Sequence, residues 1–151
     1  MATVFELAER MDEVIAGLDN EISNILNEVE PIIVEQQKER LFQGKYVSGN
    51  EIIPEYKPYT IFVKHYLKSP TQPTDRVTLK DTGDFYNQIF AAQLGNEVLI
   101  DSGDEKSGML KEKYEKGGES LFGFTEDNVL QNYAITTPML TDYTKRITGL
   151  P

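Results

Sequence analysis

The 151 residues predict a single α+β domain, a long N-terminal helix packed on a small antiparallel β-sheet with short C-terminal helices. Three observations carry that expectation. Apolar residues recur in steps of four and three from Met11 to Ile32, two short apolar runs flank Gly95-Asn96, and two capped, helix-like stretches close the chain.

The N-terminal helix is the clearest element. Thr3 followed by Glu6 has the spacing of a capping box, and Met11, Ile15, Leu18, Ile22, Ile25, Val29 and Ile32 form one stripe with the glutamates off it. The segment is assigned to residues 1–40, with Gly17 and Asp19 able to split it and Pro31 expected to kink it. Such a stripe suits a helix laid on its own sheet. A coiled-coil seam is the alternative, disfavoured by the internal glycine and proline.

Residues 41–75 are dense in breakers, with Gly49-Asn50 and prolines at 54, 58, 70 and 73, and read as a region that wraps the core. Within it Ile61 to Lys68 leans towards a helix. The tyrosines at 46, 56, 59 and 66 are expected to pack this region down, with an intersubunit role as the alternative. Residues 76–124 hold the sheet and short helices. Arg76 to Lys80 is a candidate third strand, and Ile89 to Leu94 with Glu97 to Asp101 form a hairpin. Met109 to Lys116 is a short helix stopped by Gly117-Gly118. In residues 125–151, Thr125 with Glu126 and Asp127 opens a helix presenting Val129, Leu130 and Tyr133. Thr137-Pro138 then reads as the start of a second helix, with Lys145 and Arg146 in its last turn and Gly149 after it.

Composition narrows the function classes. With no cysteine, disulfides, thiolate catalysis and cysteine-based zinc sites are excluded. No apolar run approaches the ~20 residues of a membrane span, and "MATVFELAER" lacks the order of a signal peptide, so folding in a cytosol is expected. The net charge is −10, and residues 1–40 hold ten acidic and three basic side chains. Such a surface repels phosphate backbones and argues against specific nucleic-acid binding.

Two motifs suggest an enzyme. Asp81-Thr82-Gly83 and Asp101-Ser102-Gly103 spell the aspartic-protease turn, but they lie only 20 residues apart, too close for each to come from its own lobe. A dimeric protease using Asp101 escapes that objection, yet lacks a flap signal and offers only Leu121-Phe122-Gly123 downstream. The simpler reading makes Asp81 the cap of a short helix through Phe85 and Tyr86, with Asp84 at its positive end. Asp101-Ser102-Gly103 then closes the second hairpin strand. Asp101, Asp104 and Glu105 do not have the spacing of a calcium loop, and His65, the one histidine, has no partner motif. No catalytic, cofactor-binding or metal residue is therefore assigned.

Taken in order, "RLFQGKYVSGNEIIPEYKP", "LKDTGDFYNQI", "AAQLGNEVLIDS", "LKEKYEKGGE" and "SLFGFTEDNV" resemble the tailed-phage virion-morphogenesis proteins, the tail-completion or neck family. The agreement covers about residues 25–135. The chain departs in lacking an Arg-Pro before Phe122, in carrying Phe85-Tyr86 where leucine and a basic residue are common, and in the unmatched "TTPMLTDYTKRITGLP". The resemblance implies a non-enzymatic virion protein, assembled in the host bacterial cytoplasm as a ring of six or twelve copies at the head–tail junction. Its partners would be itself and neighbouring neck, portal or tail proteins, with no cofactor and no membrane. Its acidity would suit a conduit through which DNA slides without sticking. A cytosolic adaptor encoded by a mobile element, bound to one partner through the helix, is the other structural alternative.

Overall fold

The computed structural model describes residues 3–68 and 71–151, so the proline at 70 lies outside the described residues. Helix α1 runs from Val4 to Phe42, about 58 Å at 1.5 Å per residue. Its start is a capping box, in which the Glu6 amide donates to Thr3 Oγ1 at 3.2 Å and the Thr3 amide donates to the Glu6 carboxylate at 2.7 Å.

Neither Gly17 nor Asp19 splits α1, and the helix continues past Pro31. A glycine costs a helix only about 1 kcal/mol, and here packing outweighs it. Pro31 is exposed, so water can serve the carbonyl that loses its partner. Gly17 in fact makes room for a neighbour, because a Cβ there would strike the hydroxyl of Tyr143, which donates to the Val14 carbonyl at 3.0 Å. Gly17→Ala is expected to lower stability by about 1–2 kcal/mol despite its better helix propensity. In a Tyr143→Phe background, where the ring carbon lies 3.5 Å from that Cβ, the same change should stabilise by about 0.5–1 kcal/mol. Urea unfolding of the four proteins tests the change of sign.

Tyr143 belongs to helix α5, Glu126–Thr148, which lies alongside α1. This is one helix where two were expected, with Pro138 inside it. The Thr125 capping box, closed by Asn128, starts it, and Gly149 at φ 68° ends it. Thr137 is therefore not a cap. Arg10 donates to the Thr148 carbonyl, and Gln36 bonds Gln131 and Asn132, so α1 holds both ends of α5 across the proline.

The sheet has two antiparallel strands, β1 (Ile89–Leu94) and β2 (Glu97–Ser102), in register from Ile89 opposite Ser102 to Leu94 opposite Glu97. Gly95 at φ 61° makes the two-residue turn possible. The expected third strand at Arg76–Lys80 does not form. Its amides go elsewhere, because the Tyr56 hydroxyl accepts from Thr78 at 3.0 Å and Leu79 at 3.1 Å, and Leu79 takes φ 57°. A positive φ at a leucine ends any ladder there.

Short helices complete the domain. They are α2 (Pro58–Phe62), running into a π-helical stretch Val63–Lys68, then α3 (Asp84–Asn87) and α4 (Ser107–Tyr114). One core joins Val29, Ile33 and Leu41 of α1 to Tyr46, Val77, Phe85, Ile100 and Leu121. Of the apolar stripe on α1 this core takes in Val29 alone. Ile25 and Val29 are buried, whereas Met11, Ile15, Ile22 and Ile32 are exposed. The first half packs on α5 through a neighbouring face that carries Arg10, Val14 and Gly17, while Asp19 and Ile22 border a cleft shared with Gln93 and Val98 of the hairpin.

Two buried polar side chains of α1 clamp the segment before α5. The Gln37 amide and the Gly123 backbone bond each other twice, at 2.9 and 3.1 Å, while Arg40 donates to the carbonyls of Leu121 at 2.6 Å and Gly123 at 3.2 Å. Gln37 is 0% exposed and Arg40 7%.

Candidate functional site

The Asp101-Ser102-Gly103 turn ends β2 as expected and latches it to its neighbours. Asp101 Oδ1 accepts from the Ser102 amide at 2.8 Å and the Ser107 hydroxyl at 2.7 Å, and Oδ2 accepts from Lys111 Nζ at 2.8 Å. Ser102 Oγ, buried, donates to the Phe85 carbonyl at 2.7 Å, and the Gly103 amide donates to the Gln88 carbonyl. Burial alone would raise the Asp101 pKa, but the hydrogen bonds from Lys111, Ser107 and Ser102, with the lysine charge, hold it below the usual carboxylate value. A proton-sharing dyad needs a second carboxylate at this place. A lysine stands there instead.

Because the folded pKa is depressed, the stabilisation by Asp101 is present above the ordinary carboxylate pKa and is lost as pH falls through the folded value. Asp101→Asn should therefore cost about 2 kcal/mol near neutral pH, with the difference from the parent shrinking towards about pH 3. Denaturant titrations at the two pH values test this.

The Asp81-Thr82-Gly83 turn departs from expectation. Asp81 does not cap α3; it pairs with Lys68 at 3.3 Å, and the cap position is Gly83 at φ 98° with no side-chain bond. The positive φ reverses the chain after Thr82, so Thr82 is the residue placed to reach Asp84, bonding its amide and its carboxylate. Asp84 does stand in the first turn. The turn borders a cleft of about 320 Å³ walled by Tyr56, Tyr59, Lys64, Leu110 and Tyr114. Lys64 is buried, with its Nζ donating to Gln72 Oε1 at 3.1 Å and to the Lys80 carbonyl, and lying 4.9 Å from the Tyr56 ring centre.

Chemically the cleft is balanced. Asp81, Asp84 and Asp104 share it with Lys64, Lys68, Lys80 and Lys106, and the carboxylates of Asp81 and Asp84 have partners of their own. Among the described residues no three His, Cys, Asp or Glu side chains gather to hold a metal, so Asp101, Asp104 and Glu105 form no such group. His65 is exposed and meets Tyr66 edge-on, with ring centres 4.6 Å apart. Sequence reasoning missed Lys64 and the Tyr56 hydroxyl. The only signal for Lys64 was a lysine following the apolar run Ile61-Phe62-Val63.

The four tyrosines of the wrapping region divide. Tyr46 and Tyr56 pack inward, whereas Tyr59 and Tyr66 are exposed beside Phe62 and Leu67, which corrects the expectation that all four hold the region down. Val129, Leu130 and Tyr133 of α5 are likewise exposed. Among the described residues no helix is long and apolar enough to cross a membrane. Compared with protein-family models, curated proteins and solved structures, the chain gives no match.

Proposed function

We propose that the chain is a structural subunit of a tailed bacteriophage, a neck, head–tail connector or tail-completion protein that assembles as a ring at the portal–tail junction. The observation that carries this reading is the amount of large apolar surface left uncovered. Val4, Phe5, Ile15, Tyr59, Tyr66, Leu67, Leu130 and Tyr133 are each more than half exposed. Exposed apolar side chains gathered in a patch, as where the Phe62 and Tyr66 rings lie 5.0 Å apart, mark contact with other proteins.

The two turns that spell a protease motif support the same side, since their aspartates are engaged with lysines. The order of motifs between about residues 25 and 135 supplies the class. A net charge of −10 suits a ring beside a DNA path, where like charge suppresses sticking. Mass spectrometry and labelling of purified virions test the reading. The chain is expected at the neck in a fixed copy number, and its absence from virions would overturn the assignment.

A further inference from the structure

We infer that two opposite ends of the subunit are complementary, and that the overhanging stripe of α1 docks on the aromatic face of residues 58–68 of a second copy. The inference rests on the reading of the chain as a ring subunit and names the contact that would build the ring. The stripe consists of Val4, Met11, Ile15 and Ile22, all exposed, with Ile15 at 65%. The opposite patch consists of Tyr59, Phe62, Tyr66 and Leu67, with Tyr66 at 70% and the Phe62 and Tyr66 rings 5.0 Å apart.

Charge selects the pairing. Residues 3–24 carry six carboxylates and one arginine, and that arginine is already bonded to the Thr148 carbonyl. Residues 57–68 carry three lysines and no carboxylate. Lys64 is buried and Lys68 pairs with Asp81, which leaves Lys57 exposed at the patch edge. Two α1 stripes face to face would set Asp12 and Asp19 against their own kind. Stripe against aromatic patch sets them against lysine, and like-charge contact costs several kcal/mol, so the unlike pairing wins.

Distance makes the contact intermolecular. The aromatic patch is tied to the far end of α1, because Lys64 bonds the Lys80 carbonyl, Lys80 Nζ lies 5.6 Å from the Phe42 ring centre, and Arg76 bonds the Phe42 carbonyl. The stripe occupies the first six turns of a helix about 58 Å long. A contact between unlike patches of two copies is heterologous, and repeats of it close into a ring or run on as a filament.

The chain lacks cysteine, so single introduced cysteines report the contact without background. Full-length Ala8→Cys and His65→Cys proteins, each carrying its thiol at an exposed position beside the docking side chains and leaving those intact, would be mixed at high concentration with a short bismaleimide. A circular-dichroism melt first confirms that each folds like the parent. We expect the mixture to give a crosslinked dimer, each protein alone to give little, and the double variant to give a ladder. Asp12→Lys with Asp19→Lys should cut the ladder about tenfold, and adding Lys57→Glu should restore part of it. A dominant dimer joined through position 8 of both copies, or no crosslink in any mixture, would overturn the inference. The same pair crosslinked in virions separates the two readings. A chain present in virions but uncrosslinked there sinks this contact and leaves the neck assignment, whereas a ladder in solution from a chain missing from virions does the reverse.

Discussion

Arg40→Ala is expected to cost about 4 kcal/mol, the largest loss of any single change considered. Its guanidinium sits inside the protein, bonded to the carbonyls of Leu121 and Gly123 and, at 2.7 Å, to Gln37 Oε1. Among the described residues no carboxylate pairs with it, and its Nε has no partner. Burial lowers its pKa to about 10, a sign that the charge is held there at a desolvation cost that the carbonyls offset. Alanine removes the donors and the packed stem together, leaving the Leu121 carbonyl orphaned beside a side chain that is fully buried. Lysine keeps the charge but not the fork, and should lose about 2 kcal/mol. Methionine keeps the stem alone. Unfolding in urea ranks the three, and a methionine variant as stable as the parent would show that the bonds from the guanidinium contribute nothing net.

This clamp was invisible in the sequence for a physical reason. Gln37 and Arg40, three residues apart among glutamates, have the look of a solvated helix face, and only the return of residues 121–123 turns that face inward. Local chemistry was legible wherever it is self-contained. Thr3 with Glu6 and Thr125 are caps and Gly95-Asn96 is the hairpin turn, while α4 forms two residues earlier than expected, over Ser107–Tyr114, with Glu115 rather than a glycine at its C-cap. What failed were elements decided by partners distant in sequence. Pro138 reads as a helix start, yet the contacts that α1 makes with both ends of α5 carry the helix through it. Arg76 to Lys80 reads as a strand, yet one tyrosine hydroxyl captures two of its amides. The α1 stripe was read correctly as a pattern, but periodicity reports which residues share a face and not how far along the helix that face is covered. At the two aspartate motifs, spacing alone argued against a dyad. It could not show that Lys68 and Lys111 stand beside the carboxylates.

Tyr46→Ala should cost about 3–4 kcal/mol, second only to the loss of Arg40. Tyr46 is 2% exposed, and its hydroxyl accepts from the Ile53 amide at 3.2 Å while its one proton serves the carbonyl of Tyr114 at 2.6 Å or Ile53 at 2.9 Å. The ring therefore pins the start of the wrapping region to the end of α4. Tyr46→Phe removes the hydroxyl alone and should cost about 1–2 kcal/mol, so the remainder of the alanine effect measures packing. Tyr66→Ser, on an exposed ring in the same region, should change the stability of the isolated subunit by less than about 0.5 kcal/mol. It should nonetheless weaken self-association, since the docking inferred for residues 58–68 uses that ring. A Tyr66→Ser protein that unfolds as easily as Tyr46→Ala would place Tyr66 in the subunit's own packing. Stability retained together with lost association would separate two tyrosines that composition alone cannot distinguish.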